Sequence, residues 1–184
     1  MEKSNSNEVT LEDIKKEAAL DVQKKDISRR IQLIIFKLGT EEYALSIDQI
    51  KEVVLTPRIA KMPQTPPYIK GVANIRGNII AILDLEEKFG IDQDKDRNTQ
   101  NYNYTLVIES ELYKAGFLVR EVPNTLTINT SDIETSSNFV QSYSVDENCI
   151  QGVVKSGERL IILIDMMKLM ESTSVHNVIS KAIK

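Results

Sequence analysis

The chain has 184 residues, which is room for one ordinary domain, or for two small barrels sharing a core with short extensions, and argues against a multidomain enzyme. Its residues are 41% apolar and 27% charged, but only 5% are aromatic and tryptophan is absent, so any core is aliphatic. The formal net charge is -4, and Lys and Arg are scattered rather than gathered into a stripe, which excludes the electrostatic footprint of a nucleic-acid binder.

Residues 1–29 form a charged extension in which Leu11, Ile14, Ala18 and Val22 recur at helical spacing behind Thr10, a candidate N-cap. That spacing suits a docking helix, and the composition suits a solvated tail equally well. From Ile31 the pattern becomes β-rich: Ile31 to Leu38, a turn at Gly39 to Glu42, and Tyr43 to Ile47 read as a hairpin. Pro57, Pro63, Pro66 and Pro67 punctuate an irregular passage, since proline donates nothing to a ladder and restricts the residue before it. Val72 to Ile75, a turn at Arg76-Gly77 and Asn78 to Leu83 form the next hairpin, followed by a helical turn over Leu85 to Phe89 that stops at Gly90. Residues 92–103 are almost wholly polar and predict an exposed loop. Tyr104 to Ser110 and Tyr113 to Val122 predict another hairpin, and Asn124 to Asn148 a polar passage. Ile150 to Lys155 turns at Ser156-Gly157 into Glu158 to Ile164, and a helical tail carries Met166, Met167, Leu169 and Met170, then Val175, Val178, Ile179 and Ala182.

The two halves lie on each other. Gly71-Val72 and Gly152-Val153 each precede a hairpin that turns on glycine, and they stand at the same spacing from Asp84 and Asp165. A duplicated unit of roughly 60 residues has a marginal core alone and gains stability by packing on its twin. The expected fold is therefore mainly β: two small barrels, from units at roughly 31–91 and 104–165, within a domain spanning 30–172, and then a tail over 173–184. Ile79 to Leu83 and Leu160 to Ile164 are apolar without alternation, so both faces of these strands are covered, by the other barrel or by a partner. Each such side chain contributes about 1.5–3 kcal/mol when fully buried.

Catalytic constellations are scarce. The single cysteine, Cys149, cannot form an internal disulfide and reads as a small hydrophobe at a strand start, far in sequence from the lone His176. No phosphate-cradling Gly-Lys-Ser/Thr loop occurs, and one cysteine with one histidine makes no ordinary zinc site, so no metal or cofactor is expected. Asp84 and Asp165 can be imagined as a carboxylate pair, but each immediately precedes a short helical turn and reads better as its cap. Glu86 and Glu87 suit the positive end of the first of these turns. Arg76 lies between two strongly apolar strands, where it is either a solvated turn residue or an interaction hot spot. No apolar run approaches the ~18 residues of a membrane span, and the start Met1 to Ser6 lacks a secretory apolar stretch, so no direct membrane insertion and a cytoplasmic location are expected.

The run Pro63 to Gly77, with Gly71-Val72-Ala73-Asn74-Ile75-Arg76-Gly77 at its end and Ile79 to Leu85 following, resembles the signature of the CheW-type coupling proteins of bacterial chemotaxis. Phe36 to Gly39, Tyr43 to Leu45, Ile50 to Val53, Gly116 to Val119 and Gly152 to Leu169 extend the resemblance over roughly residues 31–171. It implies two SH3-like five-stranded barrels packed around a groove, with short helices and a helical C-terminal tail. It also implies a non-enzymatic adaptor at receptor arrays, between the cytoplasmic tips of methyl-accepting chemotaxis receptors and the regulatory domain of the histidine kinase CheA. By position, Ile50, Glu52, Asn74, Arg76 and Gly77 fall on its receptor-binding surface. Two positions depart from the pattern: Arg120 stands where Asp is common, and Ala81 where proline is. A generic SH3-like peptide-binding module outside chemotaxis is the rival reading, and a β-barrel hydrolase or transferase using Asp84, Asp165 or Glu109 a more distant one. The sequence pattern is compatible both with barrels built from one half each and with barrels that exchange strands.

Overall fold

The structure, a computed structural model, describes residues 29–91, 102–111, 114–135 and 149–171. The N-terminal helical pattern, the polar loop over 92–101, the passage 136–148 and the tail from 172 onward, with His176, lie outside the described residues.

The strands are β1 (Arg30–Leu38), β2 (Glu41–Ser46), β3 (Ile50–Leu55), β4 (Ile69–Ile75), β5 (Asn78–Leu83), β6 (Tyr104–Glu109), β7 (Lys114–Val119), β8 (Asn124–Asn129), β9 (Ile133–Glu134), β10 (Ile150–Ser156) and β11 (Arg159–Ile164). Helix α1 (Leu85–Lys88) follows β5 and α2 (Met166–Glu171) follows β11. The hairpins β1–β2, β4–β5, β6–β7 and β10–β11 are those expected from the sequence. Strand β8 lies within the stretch read as a polar passage, and β3 was marked only by the family resemblance.

Two SH3-like barrels result. The first is the sheet ordered β8-β1-β2-β11-β10-β9, the second the sheet ordered β3-β6-β7-β5-β4. The halves of the sequence exchange hairpins: β1–β2 sits among strands of the second half, and β6–β7 among strands of the first. Each exchanged hairpin is joined on both sides, by one parallel pairing (β2 with β11, β7 with β5) and one antiparallel pairing (β1 with β8, β6 with β3).

Alternation along each strand divides its side chains between two cores. Leu33, Ile35, Ala44, Ile161 and Leu163 fill the first barrel. Ala73, Ile80, Ile82, Val107 and Leu118 fill the second. Their neighbours Ile34, Phe36, Tyr43, Leu83, Phe117 and Ile162 point the other way into a shared layer between the barrels, where the Phe36 and Phe117 rings lie 5.8 Å apart. Cys149 is buried in this layer as the hydrophobe its sequence context suggested. The uninterrupted apolar runs are thus covered on both faces, except at their first residues: Ile79 is 51% and Leu160 56% exposed.

The repeated Gly-Val has a physical cause. In each barrel the ladder slips by a residue just before the glycine, and a segment closing one end of the barrel crosses directly over it. A Cβ on Gly71 would lie 2.1 Å from the Ala60 carbonyl oxygen, and one on Gly152 would lie 2.8 Å from that of Glu134. Ala60 then pairs with Val72, as Glu134 pairs with Val153.

Candidate functional site

Strands β3 and β4 end the second sheet, so the barrel has a seam between them. At one end the seam is closed by the Ala60–Val72 pair, with backbone hydrogen bonds of 2.8 and 2.9 Å. At the other end it is spanned by side chains: Arg76 Nε donates to Glu52 Oε2 at 2.7 Å. The Arg76 side chain is 77% exposed, so this pair contributes at most about 1 kcal/mol.

Arg76 and Gly77 are the two central residues of the β4–β5 turn, and both have positive φ, 50° and 86°. That is the signature of a type I′ hairpin turn, whose twist matches the strands and whose first central residue is usually Asn, Asp or Gly. Arginine there costs about 1–2 kcal/mol of backbone strain. In the β1–β2 and β10–β11 turns the positive φ falls on Gly39 and Gly157 instead. Asn74 supports the turn by accepting the Gly77 N–H at 2.8 Å. Asn74→Ala should therefore lower stability by about 0.5–1.5 kcal/mol in urea denaturation, the worth of one hydrogen bond.

The structure thus joins Glu52 to Arg76 and Asn74 to Gly77, while Ile50, earlier on β3, packs half-buried against the inter-barrel layer. The same strands present Val53, Leu55 and Ile79 to solvent at 40%, 72% and 51% exposure. Ile79 opens the apolar run noted in the sequence, whereas Val53 and Leu55 were not singled out as exposed apolar side chains. The signal for these two was the run Val53-Val54-Leu55, apolar on both faces of an edge strand.

A buried polar cluster joins the barrels at the start of α1. Asp84 caps the helix by accepting the Glu87 N–H at 3.2 Å, and its other oxygen accepts the Tyr102 hydroxyl at 2.8 Å. Asp165 caps α2 in the same way through the Met167 and Lys168 N–H groups. Glu86 and Glu87 lie in the first turn of α1, the positive end that the sequence reading matched them to, but Glu86 is not solvated there. It turns inward, with its side chain only 3% exposed, and accepts from Arg120, from Tyr102 and from the Gly39 N–H of the β1–β2 turn. The departure at Arg120 is accounted for by this carboxylate. Burial alone would raise the Glu86 pKa, but Arg120 and the Gly39 N–H outweigh it and hold the carboxyl below its ordinary value. Burial, with the charges of Asp84 and Glu86, pushes the Tyr102 hydroxyl well up, so it serves as a hydrogen-bond donor. Burial opposes the charge on Lys70, yet Glu87 and Asp84 keep its pKa above the ordinary lysine value. The acidic groups here are engaged in capping and pairing, and no group of three or more His, Cys, Asp or Glu suited to a metal occurs among the described residues.

Comparison with known proteins follows the same lines. The CheW-like domain family matches residues 32–174. The chemotaxis protein CheW of Helicobacter pylori is 30% identical over 156 residues, covering 85% of this chain and 91% of that protein. That of Klebsiella aerogenes is 30% identical over 144 residues, covering 77% and 82%. The crystal structure of the scaffolding protein TtCheW from Thermoanaerobacter tengcongensis superposes with a TM-score of 0.68 at 30% identity, covering 79% of this chain and 91% of that one.

Proposed function

The chain belongs to the CheW-like family, and from that premise we propose that it is a non-enzymatic chemotaxis adaptor coupling the cytoplasmic tips of chemoreceptors to the histidine kinase CheA. The observation that carries the receptor contact is Arg76. It is held in a strained, left-handed conformation at an exposed turn, and its one side-chain bond among the described residues is a surface ion pair too weak to offset the strain. A residue kept at such a cost without a return in stability points to recognition. On the strands that carry the Glu52–Arg76 pair and its turn, Val53 beside Glu52 and Ile79 opposite Asn74 offer apolar area to a helical partner, around which a charge-assisted hydrogen bond from the guanidinium fixes register.

In this reading Glu52, Arg76, Asn74 and Gly77 shape the receptor surface, Ile50 lies at its inner edge, and the apolar barrel surfaces take the regulatory domain of the kinase. The chain works in the cytoplasm at receptor arrays; among the described residues no helix is long and apolar enough to cross a membrane. The enzyme reading loses its candidates, since Asp84 and Asp165 cap helices and Glu109 pairs with Lys114 on the surface.

Arg76→Glu should weaken co-sedimentation with receptor-bearing membranes by about 1–3 kcal/mol. Its thermal melt should stay nearly unchanged, because an exposed pair is worth at most about 1 kcal/mol. Equal binding by the variant and the parent would remove the role assigned to Arg76.

A further inference from the structure

The two barrels differ at their seams. In the second barrel, Arg76 reaches across to Glu52. The corresponding turn position in the first barrel is Gly157, which has no side chain to reach with. There β10 pairs with β9 at Val153 and Val154, and among the described residues Lys155 and Ser156 have no strand neighbour on that side. Among the described residues strand β8 pairs with β1 alone, so its other edge also presents backbone groups that no described strand takes up. Between β8 and the end of β10 lies an open cleft of about 390 Å³.

The chemistry of this cleft is specific. Leu126, half-buried, lines it together with Ile128 and Val154, which are buried in the first barrel's core. Arg30 and Lys155 stand at its rim, and neither has an acidic partner among the described residues. The one carboxylate in the lining, Asp132, is turned back to accept the Asn129 N–H at 3.0 Å. The cleft therefore combines an apolar floor, free strand edges and an excess of positive charge.

We propose that the open seam of the first barrel is a docking site for an extended acidic segment of a partner protein, added as a strand beside β8. Alternate side chains of such a segment would pack on Leu126 over the buried Ile128 and Val154, its backbone would bond the edge of β8, and its carboxylates would meet Arg30 and Lys155. A strand-forming acidic peptide matches all three features, whereas a folded basic surface matches none.

The test uses the full chain and a fluorescein-labelled, capped octapeptide of alternating Glu and Val, followed by anisotropy. Saturable binding is expected, falling about tenfold or more in the Arg30→Glu, Lys155→Glu double variant, as loss of two charge-assisted contacts requires. Alternating Lys and Val, and alternating Glu and Pro, should not bind, since the first lacks the charge and the second the amide donors. Arg76→Glu should bind the Glu-Val probe as the parent does, which keeps this site separate from the receptor surface. Absence of saturable binding, which is also the result if the chain's own residues fill the seam, overturns the proposal. So do equal binding of the Lys-Val probe and self-association of the chain that Lys155→Glu abolishes.

Discussion

Glu86→Ala should destabilise the protein by about 3–5 kcal/mol in urea denaturation, toward the lower end of that range because Arg120 keeps 25% of its side chain exposed. The substitution removes the acceptor of the Gly39 N–H and strands Arg120 in a site built around a carboxylate. It also cuts the polar tie between the β1–β2 turn of the first barrel and the α1 and β7 ends of the second. Glu86→Gln keeps an acceptor but not the charge, and its loss should depend on pH. The folded-state pKa lies below the ordinary carboxylate value of 4.5, so the charge contributes fully above that value and is lost as the pH falls through the folded pKa. The stability gap between parent and Glu86→Gln should be constant near neutrality and close as the pH drops below 4.5. A gap unchanged down to acid unfolding would contradict the assignment.

Gly71→Ala should be the most damaging of the glycine substitutions, at roughly 2–6 kcal/mol from strain and overpacking together. At φ +140° any side chain is strained, and its Cβ would sit 2.1 Å from the Ala60 carbonyl oxygen, where the closing segment crosses the barrel. Gly77→Ala provides the control. Its φ is +86°, but nothing lies within 4 Å of the added Cβ, so it should cost only about 1–2 kcal/mol of backbone strain. Equal losses in the two variants would mean that the crossing at Ala60 does not constrain Gly71.

The four hairpins were legible because their signals are local: apolar runs flanking Gly39, Gly77 and Gly157 in three of them, and the short polar break at Ser110-Glu111 in the fourth. Strand β8, Asn124-Thr125-Leu126-Thr127-Ile128-Asn129, was read as part of a polar passage because an end strand buries only one face, and here that leaves two apolar residues in six. The exchange of hairpins between halves lay beyond any local reading. Continuous apolar strands such as Ile80 to Leu83 say that both faces are covered, but not by which half of the chain.

At the candidate site the turn at Arg76-Gly77 was visible, whereas its bond to Glu52, 24 residues earlier, needs the fold. Arg120 was noticed as a departure from the family pattern and Glu86 as a helix-end charge. Their pairing across 34 residues makes each account for the other, and burial of a carboxylate is invisible to composition.

Reconstitution with CheA and receptor-bearing membranes tests the adaptor role most directly. Added to the two, this chain should raise kinase autophosphorylation above the level of kinase and receptor alone, and Arg76→Glu should lose most of that increase while still binding the kinase. Kinase activity that stays at the level of the two components, with the folded parent chain present in excess, would contradict the assignment.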